Sequence, residues 1–351
     1  MRNFSRYLVI LTCLFICEQL AGQDYNIHNP ISLPDKSQQA TVTQRIGYSD
    51  ISIDYHSPGA KGRTIWGELV PHSSVWRAGA NENTIFTITH DVKIEGQQLA
   101  AGTYGLHLLP EAGQWTFIFS NNHTSWGSYF YKEEEDVLRV TVPVVDNDEF
   151  REWLSFDFLE RERASTTIRL SWGGKRADFK VTLDINAIAL ENIRNQLRSD
   201  AYWEWFSWCQ AADYCAEYEI NTEEALQWID RSIQLEENFS NWDVKAKLLI
   251  QVGDEKGAKA AIDRAVAVGS PVYLERYGRR LLKENDFDGA VYVFDQALKK
   301  DEDYWRAHLN KGQAFLGLKK KKLALKSFQK AVVTAPEGSK SDIQARIDHL
   351  N

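Results

Sequence analysis

Short runs of alternating hydrophobic and polar residues fill the first half of the chain, from residue 40 to about residue 185. Residues 51–55, 115–119, 153–158, 167–172 and 179–185 carry β-favouring side chains, and glycine, proline, Asp or Asn separates such runs. This pattern predicts about eight to ten strands joined by tight turns, including a hairpin in which Ala100-Ala101-Gly102 connects residues 92–99 to residues 103–109. We expect an antiparallel sandwich or barrel, because a parallel sheet would need crossover helices that the pattern lacks.

The second half of the chain, after about residue 186, changes to alanine, leucine and charged residues at helical spacing. Four alanines recur 33, 32 and 34 residues apart: Ala225, Ala258, Ala290 and Ala324. An apolar residue follows each alanine by four positions, and a small residue follows that one by three positions. A period of this length is typical of paired-helix repeats, and we predict about four such units in an all-α array over residues 187–351.

These repeats resemble the tetratricopeptide repeat, whose small residues let two helices approach closely. The last unit shows the fullest match, through Trp305, Gly312, Phe315, Ala324, Phe328, Ala331 and Pro336. The resemblance implies a surface that docks a protein partner.

The N-terminus has the order of a secretory signal peptide: Arg2 and Arg6, an apolar run over residues 7–17, and small residues before Gln23. We predict cleavage after Gly22, an exposed leader over residues 23–39, and a β domain over residues 40–186. The apolar run is shorter than a bilayer span requires, so no transmembrane span is expected. An alternative is a lipoprotein acylated at Cys17, although Ile16 is larger than the residue usually found there. The predicted location is the periplasm or the outer envelope.

Composition narrows the class of protein further. A chain of 351 residues exceeds what one core usually organises, and 26% charged with 43% hydrophobic residues is typical of globular domains. A formal net charge of -8 argues against binding to nucleic acid through bulk electrostatics. After signal removal only Cys209 and Cys215 remain, and their spacing on one predicted helix favours two buried thiols over a disulfide.

A series of short motifs follows a fixed order through the β-rich half. They are Asp54-Tyr55-His56-Ser57-Pro58, Lys61-Gly62-Arg63, Leu69-Val70-Pro71, Val75-Trp76-Arg77-Ala78-Gly79-Ala80-Asn81-Glu82, Leu99 with Ala101-Gly102-Thr103-Tyr104, Trp126-Gly127 and Asp136-Val137-Leu138-Arg139-Val140. Together they resemble the bacterial domain-of-unknown-function family 2911 and cover most of residues 40–185. The resemblance implies an exported β-sandwich protein of Bacteroidetes-type bacteria, and it supplies no established activity.

The candidate ligand-binding residues concentrate between residues 61 and 82. They are Lys61, Arg63, Trp76, Arg77, Asn81 and Glu82, with Trp126 and His107 added from the following segments. Arginine offers a planar donor fork and tryptophan a flat stacking surface, so this group suits a small anionic or carbohydrate ligand. In the alternative interpretation Arg77 and Glu82 form an internal ion pair that orders a loop, and Trp76 belongs to the core. Strand alternation turns His107 away from Leu106 and Leu108, towards solvent or a pocket.

Signatures of enzymes and of metal sites are absent from the sequence. It contains no nucleophile elbow, no phosphate-binding glycine loop and no histidine spacing that brings two metal ligands together, so no cofactor is predicted. The function predicted is therefore an exported binding protein whose repeats dock a partner. The alternative is a hydrolase of envelope carbohydrate with a site near residues 76–82, using paired carboxylates such as Glu82 and Asp136.

Overall fold

The computed structural model describes residues 34–350, which form two compact units that meet in sequence at Leu183 and Asp184. The predicted signal peptide and most of the predicted leader lie outside the described residues. The leader was predicted to extend to residue 39, whereas the first strand already begins at Gln38. Within residues 34–350, no helix combines the length and the apolar character that crossing a bilayer would require.

The first unit is an antiparallel sheet of nine strands within the described residues, in the spatial order β1-β2-β3-β6-β7-β8-β9-β4-β5. The strands are β1 Gln38–Ile46, β2 Ser49–Ser57, β3 Thr84–Ile88, β4 Val92–Ile94, β5 Gln97–Leu99, β6 Gly102–Pro110, β7 Gln114–Ser120, β8 Asp136–Leu159 and β9 Ser165–Thr182. β4 and β5 form a hairpin, and Glu95 and Gly96 at its turn both have positive φ, as a type I′ turn requires. The predicted hairpin between residues 92–99 and residues 103–109 is wrong, because β6 pairs with β3 and β7 instead.

Two long strands fold this sheet into two layers. The first part of β8 pairs with β7, and the part from Val144 onward pairs with β9, with irregularities in register between Asp146 and Ser155. The inner faces meet through aromatic rings: Phe179 of β9 packs on Phe117 of β7, with ring centroids 4.7 Å apart. This is the antiparallel sandwich that the alternating pattern predicts.

The sequence pattern placed a strand over residues 179–185, but the chain turns into a helix before that strand would end. The side chain of Asp184 accepts a hydrogen bond from the backbone N–H of Ala187 at 3.0 Å, and it thereby caps a helix that begins at Ile185. The boundary predicted at residue 186 therefore falls inside the first helix of the second unit.

The second unit contains ten α-helices within the described residues. They are α1 Ile185–Gln196, α2 Trp205–Tyr218, α3 Thr222–Leu235, α4 Phe239–Gln251, α5 Glu255–Val268, α6 Pro271–Lys283, α7 Phe287–Lys300, α8 Trp305–Gly317, α9 Lys321–Thr334 and α10 Glu337–Leu350. Four consecutive helix pairs, from α2 with α3 to α8 with α9, make up the array, and α1 and α10 flank it.

Small residues set the spacing inside these pairs. The ring of Phe294 on α7 lies directly against Gly278 on α6, and the ring of Phe328 on α9 lies against Gly312 on α8 in the same way. A side chain at either glycine would overlap the ring. The two helices of a pair can therefore pack closely because glycine has no side chain. The two cysteines predicted to be buried thiols are confirmed as free and buried on α2.

Candidate functional site

The connection between β2 and β3 is long and irregular, and it carries most of the predicted site residues. Its backbone is fastened at several points to the sheet. Trp76 exchanges two backbone hydrogen bonds with Leu108 of β6, at 2.8 and 2.7 Å. Leu108 lies beyond the part of β6 that pairs with β3. Further back, Ala60 donates to the carbonyl of Glu152 at 2.8 Å. The loop is therefore an ordered part of the sheet unit, able to hold side chains in fixed positions.

A cavity of about 490 Å³ opens between this loop and the segment that follows β7. Its lining comprises Ser37, Pro58, Arg63, Leu69, Val70, Ser74, Val75, Trp76, Arg77, Gly79, Ala80, Ser128, Tyr129 and Trp172. Three of the predicted residues meet there: Arg63, Trp76 and Arg77. Neither Asp nor Glu is among the described residues of the lining, so its charged groups are both cationic.

Arg77 is held by stacking rather than by an ion pair. Its guanidinium carbon lies 5.3 Å from the ring centroid of Trp126, and the group rests against the backbone of Gly127. Its Nε is buried and has no hydrogen-bond partner among residues 34–350. Partial burial lowers the pKa of Arg77, while the nearby Tyr129 and Glu82 raise it. The alternative interpretation, an ion pair between Arg77 and Glu82, is wrong: the carboxylate of Glu82 lies 3.5 Å from Nδ1 of His56 instead.

Arg63 is anchored by the backbone of its own loop. Its Nε donates to the carbonyl of Ala60 at 3.0 Å, and its Nη2 donates to the carbonyl of Gly59 at 2.7 Å. Two bonds to neighbouring carbonyls fix the plane of the guanidinium group. The described part of the chain places no carboxylate within ion-pair distance of Arg63.

Tryptophan rings form the wall behind the two arginines. Trp76 stacks on Trp172, with centroids 5.7 Å apart and planes 15° apart, and Trp66 meets Trp76 edge to face. Trp76 is half-buried: it packs against buried Trp172 and also belongs to the cavity lining. On the outside, Trp126 stacks on Tyr129 with centroids 5.7 Å apart, and the Tyr129 side chain is 79% exposed. The cavity therefore has a rigid aromatic wall and an exposed aromatic rim.

The remaining predicted residues do not line the cavity. The backbone N–H of Lys61 donates to Oε1 of Glu152, and Glu82 is exposed beside His56. Asn81 has a buried Nδ2 atom without a partner among the described residues, and its φ of 57° is left-handed, like that of buried Ala78. Left-handed non-glycine residues are costly, and they concentrate at functional sites.

His107 is buried, whereas the strand pattern predicted a position facing solvent or a pocket. Its side chain is covered by the segment between β7 and β8, where Ser128 Oγ lies 3.2 Å from Nδ1 and the ring of Tyr131 packs edge to face. Burial lowers the pKa of His107 to about 4, an effect that Asp136 opposes. Strand alternation failed here because both faces of β6 are covered.

The helical unit presents a second concave surface, the aromatic groove. It has a volume of about 440 Å³, and residues of α2, α4 and α6, the first helices of three successive pairs, line it. Its aromatic residues are Phe206, Phe239, Tyr273 and Tyr277. Phe206 and Tyr273 are 53% and 41% exposed, which is unusual for large apolar side chains.

Charged residues run along the floor of the aromatic groove in a chain of ion pairs. Lys247 contacts Asp213 at 2.9 Å and Asp243 at 3.8 Å, and Arg280 contacts Asp243 at 2.6 Å. These contacts join α2, α4 and α6 across the groove. They fix the side chains that a partner would meet.

Comparison with known proteins identifies both units. Residues 37–181 match the family model described as a protein of unknown function, DUF2911, and residues 276–339 match a tetratricopeptide repeat model. The sheet unit is a DUF2911 domain. The resemblance predicted from the motifs is thereby confirmed, and so is the resemblance of the helical unit to tetratricopeptide repeats. A search of curated proteins gives no match.

Three solved structures resemble part of the coordinates, and each aligns over less than half of this chain. A structure of MamA is 16% identical, covers 44% of this chain and 84% of its own, and has a TM-score of 0.30. YrrB, described as a TPR protein with an unusual peptide-binding site, is 19% identical, covers 46% of this chain and 83% of its own, with a TM-score of 0.29. PilF of Pseudomonas aeruginosa is 18% identical, covers 42% and 67%, and has a TM-score of 0.29.

Sequence reasoning missed several residues of the DUF2911 domain cavity. Tyr129 and Ser128 lie after β7, and Trp172 lies on β9, far in sequence from the loop that carries Arg63. Only the aromatic content of the Trp126 segment gave a signal for the rim. Within residues 34–350 no three His, Cys, Asp or Glu side chains come together as a metal site.

Proposed function

We propose that this chain is an exported binding protein in which the helical repeats dock a protein partner and the DUF2911 domain holds a small ligand. Tetratricopeptide repeats support the first part, because stacked helix pairs expose a continuous surface suited to protein interaction. The observation that carries the proposal is the aromatic groove. Its exposed Phe206 and Tyr273 are rigid apolar anchors of the kind that dominate protein interfaces.

The docking role is tested by a matched pair of variants in the full chain. Phe206→Ser removes an exposed ring from the aromatic groove, whereas Val333→Ser changes a residue that is 75% exposed on α9 and lies outside the groove. We expect Phe206→Ser to weaken binding to the co-purifying partner by about 10-fold or more, and Val333→Ser to leave it unchanged. Equal binding by both variants would count against the groove as the docking surface.

Export is supported by the N-terminal pattern of Arg2 and Arg6, an apolar run and small residues, which lies outside the described residues. Fractionation of the native host followed by N-terminal sequencing tests it. The expected result is protein in the envelope or periplasmic fraction that begins at Gln23. A cytosolic protein that keeps its first 22 residues would contradict export.

The hydrolase alternative has less support than ligand binding. Glu82 lies beside His56, and Asp136 accepts hydrogen bonds from Tyr131 and Arg139, so neither carboxylate faces the cavity lining. Hydrolysis of a glycosidic bond normally uses two carboxyl groups that flank the substrate. Incubation of the purified chain with envelope polysaccharide, with Glu82→Gln as the control, tests this alternative directly.

A further inference from the structure

The charged side chains that line the cavity of the DUF2911 domain are two arginines, so its charge is positive. We infer that it binds the carboxylate or phosphate group of a small ligand, held by the guanidinium groups of Arg77 and Arg63. This inference rests on the proposed ligand-binding role of the domain and specifies the chemistry of the ligand.

The guanidinium group of Arg77 is the first feature that points to an anionic ligand. A buried N–H donor without a partner is unfavourable because folding removes its hydrogen bonds to water, and Nε of Arg77 is such a donor among the described residues. The Trp126 ring and the Gly127 backbone position the guanidinium group but supply no acceptor to Nε. An oxyanion in the cavity would supply the opposite charge to this guanidinium group, which has no ion pair among the described residues.

The fixed orientation of the Arg63 guanidinium group also points to an anionic ligand. Bonds from Nε and Nη2 to the carbonyls of Ala60 and Gly59 hold one edge of the group, and Nη1 has no protein acceptor among residues 34–350. Arginine carries donors only, so two arginines on one lining select a ligand rich in acceptors. A neutral sugar would leave the charge of both guanidinium groups uncompensated, because the described lining contains no carboxylate.

The volume of the cavity and the residues that line it suit a small ligand. A cavity of about 490 Å³ falls in the range of small-molecule sites. Ser37, Ser74 and Ser128 line it, and the exposed ring of Tyr129 forms its rim. A ring-shaped body bearing hydroxyl groups can meet the serines and stack on Tyr129 while its anionic group meets the arginines. Sugar acids and sugar phosphates have this combination of groups.

Isothermal titration of the purified full chain tests the inference with three probes that share one ring: glucose, glucuronate and glucose 6-phosphate. We expect at least one of the two anions to bind about 10-fold or more tightly than glucose, and its binding to weaken as salt rises. Glucuronate distinguishes a carboxylate site from a phosphate site, because only glucose 6-phosphate carries a phosphate.

Three variants assign the effect to the cavity. Arg77→Gln should weaken binding of the anion by about 10-fold or more, and Arg77→Lys should weaken it less, because lysine keeps the charge but loses the planar fork. Arg45→Gln removes the same charge from an exposed arginine that pairs with Asp50 on the same unit, and it should leave binding unchanged. Circular dichroism of each variant checks that the fold is retained.

Several results would overturn the inference. These are glucose binding as tightly as both anions, no anion binding at up to about 10 mM, or equal losses in Arg77→Gln and Arg45→Gln. The comparison of probes on the unmodified chain decides the question even if Arg77→Gln fails to fold. Failure here is distinguishable from failure of the docking role, because partner binding through Phe206 is measured separately.

Discussion

Gly127 is expected to be indispensable because the guanidinium group of Arg77 occupies the space where a side chain would lie. Its φ is 64°, in the left-handed region, and a methyl group at this position would overlap Nη1 of Arg77. Gly127→Ala therefore combines a strained backbone with displacement of the arginine. Gly96→Ala is the matched control, because Gly96 has a φ of 80° in the β4–β5 turn and open space where a Cβ atom would lie.

The two variants share one energetic cost and differ in another. A non-glycine residue in the left-handed region costs about 1–2 kcal/mol, which both variants should lose from the free energy of unfolding. Displacement of Arg77 also removes its contact with the Trp126 ring, worth about 0.5–1 kcal/mol at a partly exposed site. We therefore expect Gly127→Ala to lose about 1.5–3 kcal/mol and Gly96→Ala about 1–2 kcal/mol.

Chemical denaturation of the full chain measures the loss of stability, and Gly96→Ala identifies which transition belongs to the DUF2911 domain. Titration with glucuronate or glucose 6-phosphate measures the loss of anion binding. Only Gly127→Ala should lose anion binding, because only that substitution moves Arg77. Equal stability and equal binding in the two variants would refute the placement of Arg77 against Gly127.

Three further predictions concern stability and reactivity. Phe294→Ala, at a fully buried ring, should cost about 3–5 kcal/mol in denaturation of the repeats, whereas Tyr292→Ala, at a ring that is 51% exposed, should cost about 0.5 kcal/mol or less. Since the pKa of His107 falls from 6.5 to about 4 on folding, the unfolded chain takes up its proton first, and stability should decrease by up to about 3 kcal/mol as pH falls from 6.5 to 4. His107→Gln should flatten that dependence, and an unchanged pH profile would contradict it. Burial raises the pKa values of Cys209 and Cys215 to about 12 and about 11, so iodoacetamide at pH 8 should label them only after denaturation.

The period of small residues made the helical repeats predictable from sequence. Ala225, Ala258, Ala290 and Ala324 are fully or almost fully buried in the structure, each on the second helix of a pair. The alternation of apolar and polar side chains also predicted the strands, because most strands turn one face towards the core and the other face away from it. It was wrong for His107, since the segment that covers the second face of β6 leaves no local signal in the strand itself.

The candidate site was only partly predictable, because it joins segments that are distant in sequence. Arg63 and Arg77 stand out as unusual residues in one loop, but the partner of Arg77 depends on where Trp126 and Gly127 lie in space. The same holds for Glu82, whose contact with His56 follows from the pairing of loop and strand. Local patterns identify residue types, whereas tertiary contacts decide which of them meet.

Docking of a partner in the aromatic groove is the central claim, and site-specific photo-crosslinking in the native host tests it most directly. A photoreactive phenylalanine analogue replaces Phe206 or Tyr273 in the groove, or Val333 outside it, and adducts are identified by mass spectrometry. The account predicts that one and the same protein is captured from positions 206 and 273 and not from position 333. No adduct from the groove positions, or the same adduct from all three, would contradict it.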